Sequence, residues 1–195
     1  MQTHKIVAFI AILFLSASML AAPPTAVPRR SPEFTISEPS GKATLLSSFQ
    51  GRVVVIEFLF VKSPHCLRVT MTLNKLYQEL GPRGFQPIGI VFDPPGPPGG
   101  ELSVTYLVDY LKLTYPVGYT SKDSVDRFLD RGESEILRIP QMVVIDRAGV
   151  IRAASGTRAE PNLENENSLR NLIETLLKEP APKATAKKLS SSLRP

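Results

Sequence analysis

A single α/β domain is the fold class this sequence predicts: a mixed central sheet flanked by helices, with an N-terminal β-hairpin extension. Three observations carry that reading. The length of 195 residues suits one domain with flanking segments. Two continuous β-branched and aromatic runs, RVVVIEFLFV (52–61) and FQPIGIVFD (85–93), have the pattern of strands buried on both faces. The segment between them switches to a helical period, and the last two strand-like runs lie close enough for a hairpin.

The elements follow in order. Residues 1–21 carry a basic start, MQTHK, then the short apolar run IVAFIAILFL and small residues, the three parts of a secretory signal. The run is shorter than the roughly 20 residues that a membrane span needs. Export to the periplasm or exterior is the expectation, with an uncleaved N-terminal anchor as the alternative. Residues 22–33, with PPTAVPRRSPE, read as a Pro-rich linker, and the domain is expected over 34–178. FTIS (34–37) is a short strand, and EPSGKA is a turn. After RVVVIEFLFV, apolar residues Leu67, Met71, Leu73, Leu76, Tyr77 and Leu80 recur at helical spacing until Gly81 and Gly84. PPGPPGG (94–100) breaks the chain, and SVTYLVDYLKL (103–113) has helical period. YPVGY is a short extended piece, and KDSVDRFLD is a helix candidate. QMVVID and VIRAAS flank the RAG turn as a hairpin, ENSLRNLIETLLKE closes the domain as an amphipathic helix, and 179–195 is a disordered basic tail.

Charge excludes one class of partner. Lys5 and the net +4 of residues 178–195 account for the whole formal +5, so the body is near neutral and no nucleic-acid partner is expected. Nor is a metal or other cofactor. One Cys and one His in the body fall short of the three or four ligands usual for zinc.

The chemistry concentrates in FLFVKSPHC (58–66). Cys66 is the only cysteine, so it forms no internal disulfide, although an oxidising compartment favours paired cysteines. It is either a buried inert thiol or a site for reaction with another molecule. Ser63 followed by Pro64 is a preferred helix start, an N-cap with proline at the first helical position. That start places Cys66 in the first turn, where backbone N–H groups favour a thiolate and burial opposes it. Glu57 lies within VVVIEFLFV, where a carboxylate is costly unless it is paired, protonated or turned to a solvated edge.

Three segments, FTISEPSGKATLLSSFQGRVVVIEFLF, LNKLYQELGPRGFQPIGIVFD and RIPQMVVIDRAGVIR, together with SPHC opening a helix after a buried strand, resemble the thioredoxin-like superfamily. The nearer resemblance is to the exported TlpA/ResA-type thiol–disulfide oxidoreductases and the AhpC/TSA (redoxin) group. It implies a thioredoxin-like fold and a Trp-Cys-x-x-Cys loop whose first cysteine is here Ser63 and whose second is Cys66. It further implies that His65 neighbours the reactive sulfur, that Glu57 relays a proton to the second cysteine, and that Pro140 is cis. Ile139 and Pro140 then form a ledge that docks a substrate peptide. The implied partner is a thiol- or disulfide-bearing protein or peptide, with a membrane redox donor as electron source.

Serine cannot replace the attacking thiol. Its hydroxyl stays protonated at neutral pH without a base, and oxygen does not exchange with disulfide sulfur. Three readings follow: a family member with weak or lost dithiol exchange, a one-cysteine peroxidase of the peroxiredoxin type using Cys66, or a non-catalytic peptide-binding module. The peroxidase reading rests on a hydroxyl three residues before the cysteine, with Arg138 as the candidate activating residue and Leu59 where a proline is usual.

Overall fold

The computed structural model describes residues 27–92, 99–132, 135–156 and 162–181. The expected secretory signal (1–21), most of PPGPPGG and nearly all of the expected basic tail lie outside these residues. The described chain runs β1 (Arg29–Arg30), β2 (Thr35–Ser37), β3 (Ala43–Leu45), β4 (Val53–Leu59), α1 (Pro64–Leu80), β5 (Phe85–Val91), α2 (Gly99–Leu111), β6 (Val117–Tyr119), α3 (Lys122–Leu129), β7 (Gln141–Ile145), β8 (Val150–Ala154) and α4 (Glu166–Lys178). All eight strands join one sheet in the order β1-β8-β7-β4-β5-β6-β2-β3. This is the thioredoxin-like mixed α/β architecture that the sequence led us to expect.

The β4 strand is central, with its backbone paired to a neighbouring strand on either side. It pairs in parallel with β5 and antiparallel with β7. All seven of its residues are buried, which explains a run that is apolar at every position but Glu57. Its alternate side chains feed two cores. Val53, Val55 and Leu59 pack with residues of α1, α2 and α4, while Val54, Ile56 and Phe58 pack with α3 and the β2–β3 hairpin. Burying one such side chain fully contributes about 1.5–3 kcal/mol, so the two faces together dominate stability. On the second face Phe34, Phe58 and Phe128 meet edge-on or tilted at centroid distances of 5.9, 5.2 and 5.6 Å. That trio ties the hairpin, the central strand and α3 together.

The β7–β8 turn is built by Asp146. Its Oδ1 accepts from the amides of Ala148 and Val150 at 2.9 and 3.0 Å, and Gly149 takes a positive φ of 78°.

Three details depart from the sequence reading. The segment assigned to a linker contains β1, because Arg29 and Arg30 add to the exposed edge of β8 and pair with Ile151 and Val150. A two-residue edge strand leaves no hydrophobic pattern to read. Met71 is 58% exposed and Leu67 only half-buried; the stripe of α1 that reaches the core is Cys66, Val69, Thr70, Leu73, Leu76 and Leu80. A polar Thr and a Cys at inward positions moved the apparent stripe by part of a turn. Finally, α2 begins at Gly99, inside the Gly/Pro run assigned to a loop.

Candidate functional site

The site forms where β4 hands the chain to α1. The helix starts at Ser63 because its Oγ accepts from the Cys66 amide at 3.3 Å and Pro64 supplies a helical φ with no N–H to satisfy. An amide at the helix end, of the kind that would favour a thiolate at position 63, is thereby occupied by a hydroxyl. Cys66, one turn on, is 0% exposed and packs among the α1-side core residues.

Beneath it lies a buried polar chain. Thr70 Oγ1 is 2.9 Å from Glu57 Oε2 and 3.0 Å from the Cys66 carbonyl oxygen. Tyr115 donates its hydroxyl proton to the Thr70 carbonyl at 3.3 Å. Glu57 sits between Gly89 of β5 and Met142 of β7 in the middle of the sheet, fully buried, with Oε1 lacking a hydrogen-bond partner. A solvated edge, one of the positions open to it from sequence, is thus ruled out. Burial pushes its carboxyl up to about 8, a rise only partly opposed by the Thr70 hydrogen bond. The Tyr115 phenol is pushed well above its ordinary value, first by burial and then by the nearby Glu57 charge.

His65 faces outward and its Nε2 lies 2.8 Å from Glu164 Oε2, with both side chains partly exposed at 44% and 41%. Glu164 comes from the turn before α4, 99 residues away, and no spacing in the sequence points to it. Thr70 was also missed: its spacing puts it on the helix face of Cys66, but nothing local joins it to Glu57 on another element.

Antiparallel pairing of Phe58 with Gln141 brings Pro140 level with Leu59, at the sheet end where the chain turns toward Ser63. The Ile139–Pro140 peptide is cis. Pro140 is buried, and Ile139 packs against both cores. Outside them opens a groove of about 520 Å³, lined by Ile139, Pro140, Gln141, Ile136, Arg138 and Glu164 among others. Arg138 is exposed in this groove, whereas Cys66 is sealed in the core.

A buried strand delivering a capped helix start, opposite a cis-proline that leads the antiparallel neighbour, defines a protein of the thioredoxin fold. Comparison with known families makes the assignment specific. Residues 27–154 match the model of the AhpC/TSA family, and the chain belongs to that family. No curated protein matches. Among solved structures, a Bacteroides thetaiotaomicron protein provisionally assigned as a protein disulfide isomerase is 28% identical, over 80% of this chain and 92% of that one, with a TM-score of 0.61. A thiol:disulfide interchange protein of the thioredoxin family from Chlorobium tepidum shares the fold at 20% identity, over 78% and 98% of the two chains, with a TM-score of 0.63. Another thiol:disulfide interchange protein, from a Bacteroides species, does so at 22% identity, over 85% and 95%, with a TM-score of 0.63.

Proposed function

We propose that this chain is an exported AhpC/TSA-family protein that no longer exchanges dithiols and instead holds an extended polypeptide at the Ile139–Pro140 ledge. The observation that carries this reading is the hydroxyl of Ser63 seated as helix cap above a completely buried Cys66. Dithiol exchange requires a thiolate that attacks and a second thiol that resolves the mixed disulfide. Position 63 offers oxygen, and position 66 offers a sulfur that no partner can reach without opening α1.

The ledge does not depend on sulfur. Backbone next to a proline at a sheet end can receive an extended strand, with main-chain hydrogen bonds giving affinity and side-chain pockets giving selectivity. The partner is then a protein or peptide of the kind that the thiol:disulfide neighbours would take, bound without covalent exchange. On this reading Glu57, linked through Thr70 to the Cys66 carbonyl, is a buried neutral carboxyl, and His65 is a surface partner of Glu164. A peroxidase would need peroxide to reach Cys66, and its complete burial favours docking over that chemistry. Export is supported by the three-part leader of residues 1–21; the domain proper is assigned to 34–178, extended at its start by the edge strand Arg29–Arg30.

Restoring the sulfur tests the proposal. Wild type is expected to be inactive in insulin reduction, and Ser63→Cys to gain dithiol reductase activity that Cys66→Ala removes. Wild-type activity that depends on Cys66 would overturn the loss of exchange, in insulin reduction or in peroxide turnover. A folded but inactive Ser63→Cys would overturn the geometry.

A further inference from the structure

Beside the ledge, the charges of the groove are unevenly compensated. Three arginines and two glutamates line it. Arg131 is spent internally: it donates to Asp126 Oδ1 at 2.8 Å and lies 3.8 Å from Glu135 Oε2. Glu164 Oε2 lies 2.8 Å from His65 Nε2, a pairing that neutralises its charge only when the ring is protonated, so the groove keeps at most one uncompensated carboxylate. Arg29 donates to the Phe128 carbonyl, which leaves its charge unneutralised, and Arg138 is exposed. Among the described residues, no carboxylate pairs with either of these two guanidinium groups. The surroundings add to the imbalance. Lys62, beside Ser63, is exposed, and exposed Arg68 lines the neighbouring depression that shares Glu164 with the groove. Two residues before Arg138, Ile136 is 86% exposed, the highest value among the exposed large apolar side chains.

From this we infer that the groove selects an extended polypeptide segment carrying an acidic side chain next to an apolar one, with Arg138 as the specificity-determining residue. The inference rests on the docking reading above and adds the chemical class of its ligand. The physical argument is complementarity. Guanidinium groups take carboxylates in a planar, two-bond geometry, and the unpaired cations of the groove repel a basic peptide. Apolar contact with Ile136 and Ile139 supplies the non-directional part of the affinity. A point charge at position 138 would attract the same ligand with less geometric selectivity.

The test measures fluorescence anisotropy with three labelled extended peptides that share one apolar anchor and carry flanking Asp/Glu, Ser or Lys. The acidic peptide is expected to bind about tenfold more tightly than the basic one, equivalent to one close charge pair. Its advantage should shrink as salt rises. Arg138→Glu, an exposed substitution that leaves the core untouched, should abolish or reverse the ratio of acidic to basic affinity; Arg138→Lys should retain part of it. Equal affinity for acidic and basic peptides, or a preference that Arg138→Glu leaves intact, overturns the inference but not the docking reading. Failure of all three peptides to bind overturns both. Self-association that Arg138→Glu abolishes would reassign the groove to a second copy of the chain and overturn the acidic-peptide assignment.

Discussion

Thr70 has one hydroxyl hydrogen and two oxygen neighbours, the Glu57 carboxyl and the Cys66 carbonyl. An ionised Glu57 would leave one of these contacts without a proton. A protonated Glu57 resolves the conflict, because its own O–H can be donated to Thr70 while Thr70 donates to the helix carbonyl. Hydrogen-bond counting therefore agrees with the upward push of burial on the same carboxyl. The cost of the buried charge was legible in VVVIEFLFV; the hydroxyl that shares its proton was not, since it arrives from another element. Cys66 gives the residue-scale prediction. With no exposed surface, its thiol can react only through opening of the first turn of α1 or global unfolding. Labelling by a maleimide in native buffer should be slower than in denaturant by on the order of a thousandfold, as read by mass spectrometry. Rapid native labelling would return Cys66 to the list of working thiols.

At the scale of elements, the two helix-start residues Ser63 and Pro64 were readable directly, because a cap is a local device with a local sequence signature. The edge of the sheet was not. The β2–β3 hairpin joins β6 through the pairing of Ser37 with Tyr119, and that approach depends on Gly118. A Cβ on Gly118 would lie 2.6 Å from Ile36 Cγ2 and 2.8 Å from the Ser37 carbonyl oxygen. The latter is backbone and cannot rotate away. Gly118→Ala should therefore lower stability by about 1–3 kcal/mol in urea unfolding, through forced displacement of packed atoms. Loss of amide-exchange protection should concentrate in β2, β3 and β6. Stability unchanged from wild type would mean that the hairpin is not held where the sheet order places it.

For the molecule as a whole, Glu57 links folding to pH. Its carboxyl rises from an ordinary 4.5 to about 8 on folding. Between these values the native state holds the proton and the unfolded chain does not. The contribution is therefore complete below the lower value, declines as pH rises, and is lost above the upper one. The slope within the window is at most about 1.4 kcal/mol per pH unit. Urea midpoints at about pH 5 and about pH 8.5 should differ more for wild type than for Glu57→Gln, which has no proton to lose. Parallel pH profiles in the two proteins would show that Glu57 titrates normally.

By itself, the sequence determined what local pattern can encode: the buried central strands, the capped start of α1, the closing hairpin and helix, and a serine three residues before the lone cysteine. Periodicity and caps act over a few residues, so they survive in a one-dimensional record. Tertiary structure alone decided that Thr70 would bridge Glu57 and Cys66, that Glu164 would meet His65, and that the arginine-lined groove would open beside Pro140. Those contacts join residues from 4 to 99 positions apart, brought together by the register of β4 against β5 and β7 and the packing of helices on that sheet. Their energies come from burial and shared protons, which exist only once the sheet has assembled.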